Sequence, residues 1–271
     1  MTEHVIERAV EGVLEFRLNR PEKFNALSPA MLHSLAEAVE RFAHDSALRV
    51  MLISANGAYF SSGVEVTAEI TPPDNGSTLD KRRWFLDTYH RLFDELECIE
   101  KPIVVAHQGD CLGGALELSL SCDFRLAARN AHYRLPEIDF GTLPGSGGVS
   151  RLTRLVGPHW ARWLVMAGES VTAEEAVAMG FVHRVFDDVV FEREVQAFCR
   201  KLAGQPREML AAAKLSIELA QDLDRAQGRQ IERLANSMLL SGAEHKAKLQ
   251  GFLDRQAAKR RQRRNGGETL P

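Results

Sequence analysis

What this 271-residue sequence lacks narrows its chemistry first. It has four cysteines, Cys98, Cys111, Cys122 and Cys199, and no C-x-x-C pair. That pattern argues against a disulfide scaffold or a zinc knuckle and leaves reduced thiols as the expectation. No run of 18 apolar residues occurs, and Met1–Val10 carries acidic residues where a leader would be basic, then apolar. Neither membrane association nor secretion is expected, so the plain reading is a cytoplasmic protein. Neither sign of charge dominates: 34 Lys and Arg face 37 Asp and Glu, a net −3. Without a basic field, nucleic acid is not an expected partner.

Several chemistry-bearing motifs are also missing. There is no G-x-x-x-x-G-K-[ST] loop and no H-E-x-x-H, and the nine histidines show no metal-ligand spacing, so no metal is expected. Gly145-Ser-Gly147-Gly148-Val-Ser150 ends in serine where a dinucleotide loop needs glycine or alanine, and it follows Leu143-Pro144 instead of a strand. Pro144 also occupies the first glycine position of a G-x-S-x-G elbow around Ser146.

What is present reads as a globular α/β protein, with 45% hydrophobic and 26% charged residues. Val13–Leu18 alternates apolar and charged residues, the period of a half-buried strand. Ser28-Pro29 marks a helix start, and Leu32, Leu35, Val39 and Phe42 continue at helical spacing. Val50–Ile53 and Ile103–Ala106 are continuously apolar, as strands covered on both faces would be, and Phe124–Ala127 is a weaker third case. Helices between such strands predict right-handed βαβ crossovers. Thr71–Thr78 reads as a surface loop, and one long helix is expected to carry Trp84, Phe85, Thr88, Leu92, Leu96 and Ile99. Thr172–Glu175 has the form of a capping box, with Gly180 at the matching C-cap. Beyond it the chain is mainly helical, with breaks near Gly204–Pro206 and Ser241-Gly242. The expected organisation is an α/β core over residues 1–200 and a helical region over 201–271. The basic tail Lys259–Arg264 and the residues after it are expected to fray.

Three local features carry possible chemistry. Tyr59–Gly63 follows a strand with small residues that let backbone N–H groups approach a ligand. Gly109–Glu117 follows the next strand, so that free N–H groups at Gly113–Ala115 open a helix and suit an anionic oxygen. Glu117 lies one turn further, among Leu116, Leu118 and Leu120, where an ionised carboxylate must pair, face solvent or have a raised pKa. Glu137 stands in a short, proline-marked segment before a glycine-rich loop. Two carboxyls converging on one water have the makings of an acid and a base.

Taken in order, these motifs resemble the crotonase, or enoyl-CoA hydratase/isomerase, superfamily over roughly Val13–Arg255. The resemblance rests on Leu18–Leu27, Phe60–Gly63, Gly109–Glu117, Cys122-Asp123, Pro136-Glu137, Gly141–Gly148, Arg151–Leu155, Ala173–Gly180 and Ser241–Arg255. It implies a crotonase-like spiral of ββα units with a helical C-terminal region that forms a homotrimer or homohexamer. It implies an enoyl-CoA hydratase acting on an acyl-CoA thioester, with coenzyme A present only as part of the substrate and no separate cofactor. By the same resemblance Ser62 and Gly114 supply the N–H groups of an oxyanion hole, and Glu117 and Glu137 handle the protons. Lys23, Phe24, Ala26, Ser61, Gly63, Val64, Glu65, Gly113, Pro136 and Gly145 are the expected substrate and coenzyme A contacts. An enoyl-CoA isomerase, another crotonase-type dehydratase or hydrolase, and a non-catalytic acyl-CoA- or RNA-binding relative are the alternatives. The sequence departs from the family pattern at Ser62, where alanine is usual, at Glu65 for aspartate, and at Ala115 for a third glycine. His245-Lys246 likewise replaces an acidic-glycine pair. Glu65 is expected to lengthen a side chain near the acyl pocket.

Overall fold

The computed structural model describes residues 4–65, 76–87 and 89–265. Most of the loop expected at Thr71–Thr78, together with Thr88, the Phe85 side chain and the tail past Asn265, lies outside the described residues. The chain divides between Gly204 and Gln205 into two compact units.

The first unit opens with β1 (Val5–Val10), β2 (Val13–Leu18), α1 (Pro29–His44), β3 (Val50–Ala55), β4 (Tyr59–Ser61), α2 (Thr78–Asp87) and α3 (Tyr89–Cys98). It continues with β5 (Ile103–His107), β6 (Asp110–Leu112), α4 (Gly114–Leu120), β7 (Phe124–Ala128), β8 (His132–Arg134) and α5 (Gly148–Val165). It ends with β9 (Val171–Thr172), α6 (Ala173–Met179), β10 (Arg184–Phe186) and α7 (Asp188–Ala203). Two 3-10 turns, Pro21–Lys23 and Pro136–Phe140, lie between these elements.

One sheet has the order β1-β2-β3-β5-β7-β10 and the other β4-β6-β8-β9. Each pair β3/β4, β5/β6 and β7/β8 gives its first strand to the large sheet and its second to the small one, so the chain winds as a spiral of ββα turns. All neighbours from β2 to β10 in the large sheet are parallel. Such strands need cover on both faces, which explains the unbroken apolar runs in β3 and β5.

The structure corrects the reading of β2 as half-buried: only Arg17 is less than fully buried. Glu15 lies inside because α7 packs over that face, and its Oε1 accepts from Arg17 Nη2 at 2.7 Å and Ser54 Oγ at 2.8 Å. The single long helix is replaced by α2 and α3. The Ser28 hydroxyl accepts from Met31 N at 3.3 Å, and Thr172 and Glu175 complete their capping box. The strand β6 between Gly109 and the next helix is also new: three residues are too few to show a period.

The second unit consists of α8 (Arg207–Ala220), α9 (Arg225–Ser241) and α10 (Ala243–Asn265). The Lys259–Arg264 segment continues α10. Its residues are good helix formers, and no breaker occurs before Gly266. Among the described residues this unit buries none, and Leu234, Met238, Leu240, Phe252 and Leu253 are exposed.

Candidate active site

Strands β4 and β6 run parallel with Ser61 opposite Cys111, so Ser62–Val64 and Gly113-Gly114 leave the small sheet side by side. Gly113, at φ +52°, caps α4 and turns the chain from strand into helix. The Gly114 N–H donates to no acceptor among the described residues. The first four N–H groups of a helix have no partner inside it, so this one points outward with the positive end of the helix dipole.

Glu117 lies one turn into α4 and is buried. Its Oε1 accepts from Ser146 N at 2.7 Å and Gly148 N at 3.3 Å, both from the glycine-rich loop leading into α5. Gly148 is required here: a Cβ on it would stand 2.8 Å from Glu117 Oε1 and 2.5 Å from Pro144 Cβ. Burial raises the Glu117 pKa to about 7, the two backbone donors work against that rise, and the charge of Glu137 adds to it.

Glu137 follows Pro136 in the second 3-10 turn. Its Oε1 lies 3.1 Å from where a Cβ on Gly113 would sit, which places this carboxylate at the N-terminus of α4. Burial raises its pKa as well, and its Oε2 is buried with no hydrogen-bond partner among the described residues. A buried carboxylate oxygen without a donor is costly in a folded protein and marks a position where a ligand or water belongs. The structure therefore brings Glu117, Glu137 and the Gly114 N–H to one place. A proton-accepting and a proton-donating carboxyl beside an open N–H can serve addition to, or proton transfer within, a carbonyl-conjugated group.

The remaining expected contacts are placed less uniformly. The Ser62 N–H is already engaged, donating to Phe24 O at 2.9 Å. Ser61 is fully buried, and its hydroxyl donates to Asn25 O at 2.8 Å and accepts from Gly63 N at 3.2 Å. Its side chain therefore ties the loop together instead of facing a ligand. Glu65 is half-buried. It forms a two-pronged pair with Arg20, at 2.6 and 3.2 Å, which holds its carboxyl below the usual range. Lys23 and Phe24 are exposed, Ala26 and Val64 are half-buried, Pro136 is half-buried and Gly145 exposed.

Sequence reasoning missed Asn25, Tyr89, His90 and the side chain of Ser146. Asn25, at φ +51°, is fully buried and donates through Nδ2 to Asn56 O at 2.7 Å and Tyr59 O at 2.9 Å. It pins the 20–27 segment to the β3–β4 turn. The sequence around Ser146 fails as a nucleophile elbow and so gives it no role, and no sequence signal marks His90 as the partner of its hydroxyl.

No disulfide joins the cysteines. Among the described residues no group of three or more His, Cys, Asp or Glu side chains gathers, and no helix is long and apolar enough to cross a membrane.

Comparison with known proteins gives this geometry a family. The enoyl-CoA hydratase/isomerase profile matches residues 8–263. The chain is 34% identical to a 2,3-dehydroadipyl-CoA hydratase of Escherichia coli, across 94% of this chain and 97% of that protein. It is 32% identical to a crotonyl-CoA hydratase of Syntrophomonas wolfei, with the same coverage of both. A solved enoyl-CoA hydratase subunit I from Geobacillus kaustophilus superposes with a TM-score of 0.85 at 30% identity, covering 94% of this chain and 97% of that one. A ββα spiral, a buried and a half-buried glutamate at the mouth of α4 and a family match over almost the whole length converge: this chain belongs to the enoyl-CoA hydratase/isomerase family of enzymes.

Proposed function

We propose that the protein is a 2-enoyl-CoA hydratase, adding water across the Cα=Cβ bond of an acyl-CoA thioester. The observation that carries this reading is the pairing of a buried and a half-buried carboxyl, both of raised pKa, one held by two backbone N–H groups and one with an orphan oxygen. A double-bond shift needs one group to take a proton and return it. Hydration needs a base for water and an acid for Cα, and two differently supported carboxyls meet that need.

In the proposed reaction the thioester carbonyl oxygen accepts from Gly114 N–H. Ser62 N–H joins it once the Phe24 carbonyl releases that donor. Water held between the glutamates loses a proton to Glu117 as its oxygen bonds to Cβ, and the Cα=Cβ electron pair moves toward the carbonyl. Glu137, protonated at the start, then delivers its proton to Cα. Glu117 ends protonated and Glu137 ionised, and exchange with water restores them. Each N–H on the developing oxyanion contributes about 3 kcal/mol.

The names of two relatives, a 2,3-dehydroadipyl-CoA and a crotonyl-CoA hydratase, make four- to six-carbon enoyl-CoAs the first substrates to try. Loss of the enone absorbance of crotonyl-CoA reports turnover. Glu117→Gln and Glu137→Gln should each lower the rate by roughly 10²–10⁴-fold. A wild-type protein inert on short, medium and branched 2-enoyl-CoAs but active in shifting a 3-enoyl-CoA double bond would establish isomerisation instead. The exposed apolar residues of α9 and α10 further support a homotrimer or homohexamer built through the helical unit.

A further inference from the structure

The Ser146–Gly148 turn that holds Glu117 is itself held, by bonds that the acid–base steps leave unused. Its N–H groups go to the carboxylate: Ser146 N and Gly148 N donate to Glu117 Oε1 at 2.7 and 3.3 Å. Its other polar groups go elsewhere. The Ser146 hydroxyl is hydrogen-bonded to His90 Nδ1, and Arg151 Nη1 donates to Ser146 O at 2.9 Å. Arg151 is buried in the first turn of α5, and its Nη2 donates to Asp94 at 2.6 Å and to Glu97 at 2.8 Å. His90, Asp94 and Glu97 follow one another on α3 at spacings of four and three, so one face of one helix supplies all these anchors.

Two glycines allow the close approach. A Cβ on Gly147, at φ +85°, would stand 2.1 Å from Arg151 Nη1, and one on Gly148 would stand 2.8 Å from Glu117 Oε1. Guanidinium and carboxylate therefore both lie against bare backbone. A glycine turn has little stiffness of its own, so an N–H in it is aimed only as well as its neighbours hold the chain. With its hydroxyl on His90 and its carbonyl on Arg151, residue 146 cannot swing its N–H away from Glu117 without breaking one of those bonds. The His90 ring is in turn fixed: Tyr89 stacks on it with centroids 4.2 Å apart, and Trp84 meets it edge-on at 5.6 Å. Burial holds the imidazole down to about 4, so at neutral pH the ring is uncharged. The charged groups around the turn are Glu117 on α4, Glu137 in the 136–140 turn, Asp94 and Glu97 on α3 and Arg151 on α5.

We infer that His90 is a positioning residue: through the Ser146 hydroxyl it holds the glycine turn so that the Ser146 N–H stays aimed at the Glu117 carboxylate. The inference rests on the acid–base reading of Glu117, but its first test needs no turnover. Infrared difference spectra of the full-length protein, taken across neutral pH, follow the protonated carboxyl band, and Glu117→Gln identifies the Glu117 contribution. His90→Leu removes the bond to Ser146. The slackened turn donates less well to the carboxylate, so the Glu117 midpoint should rise by about one pH unit. An asparagine amide takes the place of imidazole Nδ1, and a glutamine amide that of Nε2. His90→Asn should therefore restore the wild-type midpoint and His90→Gln should not. Lost packing alone would not give that contrast, and it carries the test should His90→Leu fail to fold. On crotonyl-CoA, kcat should follow the same order, falling by up to about 10²-fold in the Leu and Gln variants with KM little changed. A Leu midpoint equal to wild type, or an Asn variant that behaves like Gln, overturns the assignment. A shifted midpoint in a protein whose wild type is inert on every enoyl-CoA would instead sink the hydration reading and leave this one standing.

Discussion

Glu117 should make the fold less stable as pH rises, and replacing it should reveal how much. Its pKa stands at about 7 against 4.5 for an ordinary glutamate, because the folded protein buries it. Below the ordinary value the group is protonated in both folded and unfolded chains and has no pH-dependent effect. Between that value and about 7 the unfolded chain gives up its proton while the folded one keeps it, so stability falls through this window. Above it the full cost is present. A displacement of about 2.5 pH units at about 1.4 kcal/mol each gives about 3 kcal/mol. Glu117→Gln keeps an oxygen for Ser146 N and Gly148 N but carries no charge to bury. The variant should therefore gain about 3 kcal/mol over wild type near pH 8, equivalent to roughly 5–10 °C in Tm, and little near pH 4. Thermal and denaturant unfolding of both proteins, at matched protein concentration, measures the difference. A gain of equal size at both pH values would refute the reasoning, because a pH-independent effect cannot come from an ionisation.

Gly148→Ala should be destabilised by about 1–3 kcal/mol and lose at least tenfold in kcat, since the added methyl meets both Pro144 and the Glu117 carboxylate. Crystal structures or unfolding curves that show no displacement of Glu117 would contradict this. Glu65→Gln breaks a half-exposed pair with Arg20 and should cost about 1 kcal/mol or less. Steady-state kinetics should show a raised KM with kcat near wild type; a loss in kcat matching the Glu137 variant would move Glu65 into the proton-transfer machinery. Light scattering coupled to gel filtration should give three or six copies, and Leu234→Glu with Met238→Glu should lower that number. A monodisperse wild-type monomer would exclude assembly through the exposed apolar residues of the second unit.

Much of the fold was legible because its signals are local. Apolar runs marked β3 and β5, Ser28-Pro29 and Thr172–Glu175 marked helix starts, and both glutamates stood beside glycine turns. These depend on backbone sterics and capping within a few residues of chain. The order of the motifs over nearly the whole length was enough to identify the family. Tertiary structure decided everything that depends on what arrives from elsewhere in the chain. β2 alternates in sequence yet is buried on both faces, because α7 arrives more than 150 residues later and its Glu192 and Gln196 meet Arg17 and Glu15. That Glu65 pairs with Arg20, 45 residues earlier, at 2.6 Å is likewise set by the fold alone. Ser62 offers a donor in the sequence pattern, but in the fold the Phe24 carbonyl holds it. The Ser146 N–H meets Glu117 and the Ser146 hydroxyl meets His90, bringing together a loop and two helices far apart in sequence, and no one-dimensional period records that meeting. Sequence alone fixes where the chain turns and which faces are apolar; which polar groups share a desolvated space, and hence how strongly each holds its proton, is settled only when distant segments exclude the same water.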